Sequence, residues 1–328
     1  MEATHVETTI QRQNIDSDLD APTIQRETLS IKTTSLETAS VESVSGTLFN
    51  QRYKIEKTIG KGANSIVHFA TDTQNNNSPV ALKIMQFASS AERDHVQDEL
   101  RRRFIQEAET ATQIDHPNTI RIYDSGEFEG ITYIAMEYLQ GKNLRTYSYP
   151  EKLLPTETVL ELLAKCAEAL AYAHEKGIIH RDVKPANILY DAQSETVKLT
   201  DFGIAKISDS TQTLEGSFLG TPLYMSPEQL AGKSLDASSD IFSLGATAFR
   251  LLSGHPPFPG TTLGELMRAI TSQPHQDLQQ LCPMLPSALI SVVDRALAKD
   301  PSERYQDGYE MAAALRACAP LLTQSDCA

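Results

Sequence analysis

The spacing of apolar residues changes near Gly141, and this change constrains the fold more than any other feature of the sequence. Before it, apolar and β-branched residues alternate as in strands, over residues 53–59, 65–72, 79–85, 121–127 and 131–137. One helix is predicted among them, because apolar residues recur at spacings of three and four at Leu100, Phe104, Ala108 and Ala111. After Gly141 the helical period dominates, from a helix near Val159 through 237–252, 263–271 and 289–298. The pattern predicts an α+β protein in which a strand-rich lobe precedes a mainly helical lobe.

Residues 1–47 differ in composition from the rest of the chain. They contain no aromatic residue and are rich in Thr, Ser, Glu and Asp, so they offer little apolar surface to offset the entropy lost on folding. We therefore expect a disordered tail over 1–47, the strand-rich lobe and its connection over 48–139, the helical lobe over 140–316 and a short end over 317–328. The tail repeats Thr-Ile-Gln-Arg at Thr9 and Thr23, by chance or as a docking or phosphorylation motif.

The charge balance and the cysteines argue against several classes of protein. The net charge of −14 opposes binding to nucleic acids and to anionic membrane surfaces, so neither partner is expected. The four cysteines show no Cys-x-x-Cys spacing, which favours reduced thiols over a metal or disulfide framework. We expect no secretory signal, because the first residues lack a basic start and an apolar run. The most apolar predicted helix is interrupted by Glu161, Lys165 and Glu168, so it is not expected to span a membrane. A cytoplasmic protein is expected.

A glycine-rich turn joins the first two predicted strands. Because glycines have no side chain, the backbone amides of this turn could approach a phosphate closely. A strand follows the turn, whereas a helix follows a Walker loop or a dinucleotide-binding turn. An ordinary hairpin turn is the alternative. The turn comprises Ile59, Gly60, Lys61, Gly62, Ala63, Asn64, Ser65, Ile66 and Val67.

Lys83 and Glu107 place opposite charges on otherwise apolar elements. Lys83 follows the apolar run Val80-Ala81-Leu82, where its charge would be poorly solvated without an anion. Glu107 lies on the apolar face of the predicted helix. We expect Lys83 to meet Glu107 and phosphate oxygens, the alternative being an edge-strand lysine that extends into water.

Two polar segments in the second lobe carry the most specific pattern. They are His180-Arg181-Asp182-Val183-Lys184-Pro185-Ala186-Asn187 and Asp201-Phe202-Gly203. Together with the glycine-rich turn, the strand lysine, the helix glutamate and a later Pro-Glu pair, they follow the order found in protein kinases. From about residue 53 to 316 the sequence resembles the eukaryotic-type (Hanks-type) serine/threonine protein kinases, most closely the bacterial members. The resemblance implies a protein-kinase-like two-lobe fold, with an antiparallel sheet and one helix in the first lobe and a mainly helical second lobe.

The resemblance also implies catalytic roles for matching positions. Asp182 corresponds to the base that accepts the proton of the attacking hydroxyl, and Lys184 to the cation that neutralises the transferred phosphoryl group. Asn187 and Asp201 correspond to Mg²⁺ ligands, although each taken alone is equally a loop-capping residue. Lys83, supported by Glu107, corresponds to the lysine that holds the α- and β-phosphates of ATP.

The ATP site implied by the resemblance continues into the segment between the lobes. Backbone groups of Glu137 and Leu139 would meet the edge of the adenine, and Val67 and Ala81 would cover its faces, although such residues often only fill a core. The predicted ATP-binding residues are all nine of the glycine-rich turn together with Ala81, Lys83, Glu137, Leu139 and Leu189.

The hydroxyl-rich stretch after Gly203 resembles the activation segment of these kinases. Its candidate autophosphorylation sites are Thr211, Thr213 and Ser217, and a guanidinium at Arg181 would bind the phosphate. A polar flexible loop is the alternative. Lys184 and Thr221 imply specificity for serine and threonine over tyrosine. Asp240, Gly245 and Arg304 match architectural positions, and Arg304 is expected to pair with Glu228.

Two alternatives to a protein kinase remain open at this point. A pseudokinase scaffold would keep the fold but normally loses a catalytic residue, and a small-molecule phosphotransferase of kinase-like fold would lack the segment at 221–228. The expected partners are protein substrates with serine or threonine acceptors. A phosphothreonine-reading domain that binds the tail at Thr8, Thr9 or Thr23 is a further hypothesis.

Overall fold

A computed structural model describes residues 46–62, 65–85, 105, 108–109, 111–202 and 222–322. All of these residues fall within one structural unit, Ala39–Ala328. Except for Gly46 and Thr47, the predicted tail over 1–47 lies outside the described residues.

The first lobe is built on a six-stranded antiparallel sheet of order β1-β2-β3-β4-β6-β5. The strands are β1 (Leu48–Phe49), β2 (Tyr53–Lys61), β3 (Ser65–Asp72), β4 (Ser78–Met85), β5 (Ile122–Phe128) and β6 (Ile131–Glu137). The five strands predicted from alternation are confirmed, with ends that differ by at most two residues. Between β4 and β5, Ala108 and Ala111 are helical and buried, as expected for the apolar face of a helix there.

The short strand β1 was not predicted, yet it contributes to the core of the sheet. Phe49 is only 2% exposed. Its ring makes edge contacts with Phe128 and Tyr133 at centroid distances of 5.4 and 5.3 Å. The packed lobe therefore begins ahead of Tyr53, inside the segment 48–139 assigned to it from the sequence.

The second lobe is a bundle of helices around a large apolar core. Its helices are α1 (Thr156–Glu175), α2 (Pro227–Leu230), α3 (Ala237–Ser253), α4 (Leu263–Ser272), α5 (Leu278–Leu281), α6 (Ser287–Ala296) and α7 (Gly308–Leu322). Helix α7 packs against α1, where a side chain at Gly308 would overlap the carbonyl of Ala167. Cys318 and Leu322 of α7 are buried, so the predicted boundary at 316 falls inside a helix that belongs to this core.

A small sheet that was not predicted lies where the lobes meet. It consists of β7 (Lys142–Asn143), β8 (Ile188–Asp191) and β9 (Thr196–Leu199). Leu199 of β9 also forms a parallel bridge to Thr119, just ahead of β5, so the sheet connects both lobes. The segment 178–187 leads into β8 and Asp201 follows β9, which brings two polar segments to one place. Within the described part of the chain, no helix is long and apolar enough to span a bilayer.

Candidate active site

The loop between α1 and β8 surrounds the carboxylate of Asp182 with donors. Lys184 Nζ lies 2.7 Å from Asp182 Oδ2. Asn187 Nδ2 donates to the same oxygen at 2.8 Å and to the Asp182 carbonyl at 2.9 Å. Because the amide nitrogen of Asn187 is engaged in this way, its amide oxygen points elsewhere. The loop therefore holds a carboxylate, an ammonium and an amide oxygen together.

Asp240 of α3 holds the backbone of this loop in place through hydrogen bonds. Its carboxylate is fully buried and accepts hydrogen bonds from the backbone N–H groups of His180 and Arg181, both at 2.8 Å. A third contact, at 2.7 Å, joins it to Nε2 of His174 at the end of α1. A buried carboxylate with three donors is well satisfied, so it can hold the loop without the cost of an unpaired charge.

Lys83 and Asp201 join the two lobes across the site. Lys83 Nζ on β4 lies 2.7 Å from Asp201 Oδ1, and both side chains are largely buried. Burial alone would raise the pKa of Asp201, but the charge and hydrogen bond of Lys83 outweigh it, so the pKa lies below its usual value. Asp201 thus stays ionised, as a metal-ligating carboxylate must.

Backbone contacts place Asp201 beside the Asp182 loop. Thr200 N donates to the carbonyl of Asn187 at 2.9 Å. The ring of His180 lies 4.5 Å from the ring of Phe202, and its Nε2 lies 2.9 Å from the carbonyl of Thr200. The predicted metal ligands, Asn187 and Asp201, therefore lie at the ends of adjacent strands, β8 and β9. One carboxylate and one amide oxygen are hard donors of the kind that Mg²⁺ prefers, so this donor pair fits the ion.

An apolar cluster lies next to these charged groups. It contains the buried Ala81, and Val67, Leu139 and Leu189 pack against it, so residues from both lobes contribute to it. In the glycine-rich turn, Gly60 pairs with Val67, Lys61 pairs with Ile66, and Gly62 N donates to the Ser65 carbonyl at 2.7 Å. The predicted site residues Ala63, Asn64 and Glu107 lie outside the described residues, as do Thr211, Thr213, Ser217 and Thr221.

The segment after β6 is held by a lysine that sequence patterns did not single out. Lys198 Nζ on β9 lies 2.8 Å from Glu137 Oε2 and 3.2 Å from the Thr119 carbonyl. The backbone N–H of Glu137 donates to the Arg121 carbonyl at 2.8 Å, and the Leu139 carbonyl accepts from Gly141 N at 3.0 Å. The only sequence signal for Lys198 is its position between Val197 and Leu199, which indicates a lysine on a buried strand.

The expected pair of Arg304 and Glu228 is confirmed. The guanidinium of Arg304 is fully buried and donates hydrogen bonds to both carboxylate oxygens of Glu228, at 2.8 and 3.0 Å. Its remaining donors reach the carbonyls of Ala298, Ser238 and Lys299 at 2.8, 2.9 and 3.1 Å. All five N–H groups of the guanidinium are therefore used. This anchor fixes helix α2 to the core of the second lobe.

A sheet lobe is joined to a helical lobe, and a lysine and carboxylates converge where the lobes meet. This arrangement is typical of the protein kinase class. Residues 53–316 match the protein kinase domain family, and the chain belongs to that family. The predicted family, two-lobe fold and serine/threonine kinase domain are confirmed.

The proteins similar to this chain include several bacterial kinases. The serine/threonine-protein kinase PrkC of Bacillus subtilis is 37% identical over 273 residues, which cover 83% of this chain and 41% of PrkC. PknB of Mycobacterium leprae is 38% identical over 272 residues, covering 81% of this chain and 43% of PknB. The crystal structure of the Mycobacterium tuberculosis PknI kinase domain matches with a TM-score of 0.66 at 33% identity, covering 83% of this chain and 98% of that domain. The chain thus spans about two fifths of the length of the curated relatives it matches.

Proposed function

We propose that this chain transfers the γ-phosphoryl group of ATP to serine and threonine hydroxyls of proteins, including its own activation segment. The observation that carries this proposal is the convergence of Lys83 and Asp201 with the loop that holds Asp182, Lys184 and Asn187. Relatives that are named serine/threonine-protein kinases support the same acceptor class.

Each polar group has a distinct role in the proposed reaction. Asp182 would orient the acceptor hydroxyl and take its proton as the oxygen attacks, and Lys184 would balance charge on the phosphoryl group in transfer. Lys83, with Glu107, would hold the α- and β-phosphates. Asn187 and Asp201 would hold Mg²⁺, which supplies charge neutralisation of the phosphates when it is bound.

The apolar cluster around Ala81 marks the proposed adenine site. Val67, Ala81 and Leu189 would cover the faces of the ring. We assign the adenine edge to the carbonyl of Glu137 and the N–H of Leu139, because the other backbone group of each residue is already hydrogen-bonded. The glycine-rich turn would cover the phosphates with its backbone amides.

The alternatives are less well supported. A pseudokinase is disfavoured because Lys83, Asp182, Asn187 and Asp201 are all present. A small-molecule phosphotransferase is disfavoured because helix α2 and its Glu228–Arg304 anchor follow the predicted activation segment, where a peptide would be laid out. The proposed partners are protein substrates and, for the tail, a phosphothreonine-reading domain. A cytoplasmic location remains a prediction.

Transfer of labelled phosphate from ATP to a panel of proteins tests the proposal. Asp182→Asn should lower turnover by about 10²-fold or more, because a positioned base is lost. Asp191→Asn is the matched control, since Asp191 only caps the exposed turn after β8 through Gln193 N and Ser194 Oγ. A wild-type protein that transfers no phosphate would contradict the proposed function, and normal turnover of Asp182→Asn would contradict the assigned base.

A further inference from the structure

Gln229, on the short helix α2, uses both ends of its side-chain amide. Its Oε1 accepts from the backbone N–H of Ser226 at 3.0 Å, while Ser226 Oγ accepts from Gln229 N at 3.3 Å. Its Nε2 donates to the carbonyl of Arg181 at 2.8 Å. The partners fix the orientation of the amide, because an N–H requires the oxygen and a carbonyl requires the nitrogen. The side chain thus connects α2 to the Asp182 loop, 48 residues earlier in the chain.

The carbonyl that Gln229 reaches belongs to the peptide bond between Arg181 and Asp182. Arg181 has a φ of +67°, in the left-handed region that is strained for a residue with a side chain. Such a conformation persists only where neighbouring groups hold it. Asp240 holds the amide N–H of Arg181, and Gln229 holds its carbonyl. The strained residue directly before the proposed base is therefore fixed from two helices.

Helix α2, which carries Gln229, is itself bound tightly to the core of the second lobe. Glu228, the neighbour of Gln229, is bound by the buried guanidinium of Arg304 and by Ser239 Oγ at 2.7 Å. Movement of Gln229 relative to the core of the second lobe would break these bonds. The amide of Gln229 therefore transmits the position of α2 to the loop that carries Asp182.

We infer, presupposing the kinase activity proposed above, that Gln229 is a positioning residue for Asp182. It holds the Arg181–Asp182 peptide so that the Asp182 carboxylate stays between Lys184 and Asn187. Its hydrogen bonds, to Ser226 and Arg181, are made within the second lobe and involve neither Lys83 nor the apolar cluster around Ala81. The contact thus acts on the phosphoryl-transfer step and leaves nucleotide binding unchanged.

The substitution Gln229→Glu separates the proposed positioning of Asp182 from the capping of helix α2, in which Gln229 also takes part. Glutamate keeps an oxygen acceptor for the Ser226 N–H, as capping boxes use Glu or Gln, but it has no donor for the Arg181 carbonyl. We expect kcat to fall about tenfold, as for loss of one well-placed hydrogen bond. KM for ATP should stay within about twofold, and Tm within about 2 °C, because neither the nucleotide site nor the cap is removed.

Two further variants make the test decisive. Gln279→Glu is the matched control, because Gln279 Nε2 on α5 likewise donates to a backbone carbonyl, that of Pro283, at 3.0 Å. It should keep wild-type kcat. Gln229→Leu removes the donor to the Arg181 carbonyl without adding charge, and unlike Gln229→Glu it also removes the acceptor for the Ser226 N–H. It should lower kcat at least as much as Gln229→Glu. The inference is overturned if both Gln229 variants turn over at the wild-type rate, or if Gln279→Glu loses as much activity as Gln229→Glu. An inactive wild-type protein would instead count against the proposed function.

Discussion

Replacing Glu228 by glutamine should destabilise the fold strongly, because it removes the charge that balances a fully buried guanidinium. Glu228 is 8% exposed and Arg304 is 0% exposed. Burial would raise the pKa of Glu228, but the hydrogen bonds from Arg304 and Ser239 outweigh it and lower the pKa to about 2. Glutamine has the same shape and keeps one oxygen acceptor, so the substitution tests the charge and not the volume.

The magnitude follows from the lowered pKa. A decrease from the ordinary value of 4.5 to about 2 corresponds to about 3 kcal/mol in favour of the charged carboxylate. This agrees with the roughly 3–5 kcal/mol lost when one partner of a buried ion pair is removed. For a domain of this size, about 3 kcal/mol lowers Tm by about 6–12 °C.

The assay is thermal and urea unfolding at several pH values. The unfolded carboxyl binds protons below about pH 4.5, whereas the folded one binds them only near pH 2, so the stabilisation is complete above pH 4.5. It is lost as the pH falls toward 2. The difference between wild type and Glu228→Gln should therefore be constant near neutral pH and shrink between about pH 4.5 and 2.

An exposed ion pair provides the control. Arg121 and Asp115 lie 2.6 Å apart, with side chains 61% and 73% exposed. Asp115→Asn should leave the free energy of unfolding almost unchanged, because solvent screens this pair. The reasoning is refuted if Glu228→Gln is no more destabilising than Asp115→Asn, or if its effect is the same at pH 3 as at pH 7.

Two further predictions concern the first lobe and its connection to the second. Phe49→Ala should lower the free energy of unfolding in urea by about 3–5 kcal/mol, because it empties a packed aromatic site. Leu48 is 52% exposed, so the control Leu48→Ala should lower it by less than about 0.5 kcal/mol. Equal effects would show that β1 does not contribute to the core. In steady-state kinetics, Lys198→Met should raise KM for ATP about three- to tenfold, because it removes the cation that holds the Glu137 carboxylate. When Lys198→Met is combined with Glu137→Gln, the change in the free energy of ATP binding should be smaller than the sum of the changes in the single variants. Additive effects would show that the two side chains act independently.

Much of the first lobe could be predicted because its signals are local. Alternation over seven to nine residues is enough to define the strands β2–β6, and their ends were predicted to within two residues. The strands β1 and β7, each of two residues, are too short to show a period. No strand was predicted at Phe49, and its contacts with Phe128 and Tyr133 show that it is a core residue.

The polar contacts of the site were predictable only in part. Asp182, Lys184 and Asn187 lie within six residues, and the structure brings them together as their motif predicts. The contact between Lys198 and Glu137 spans 61 residues, and nothing near either residue indicates the other.

The sequence by itself determined the order of the lobes, the polar segments of the site and the family to which they belong, because periodicity and motif spacing are properties of neighbouring residues. The pair of Arg304 and Glu228 was also expected from the family resemblance, but other contacts between distant polar groups were decided only by the tertiary structure. Lys83 contacts Asp201 across 118 residues, and Gln229 holds the peptide before Asp182 across 48. Such pairs depend on how helices and sheets pack, since hydrogen bonds and ion pairs form only between groups that packing brings within about 3 Å of each other.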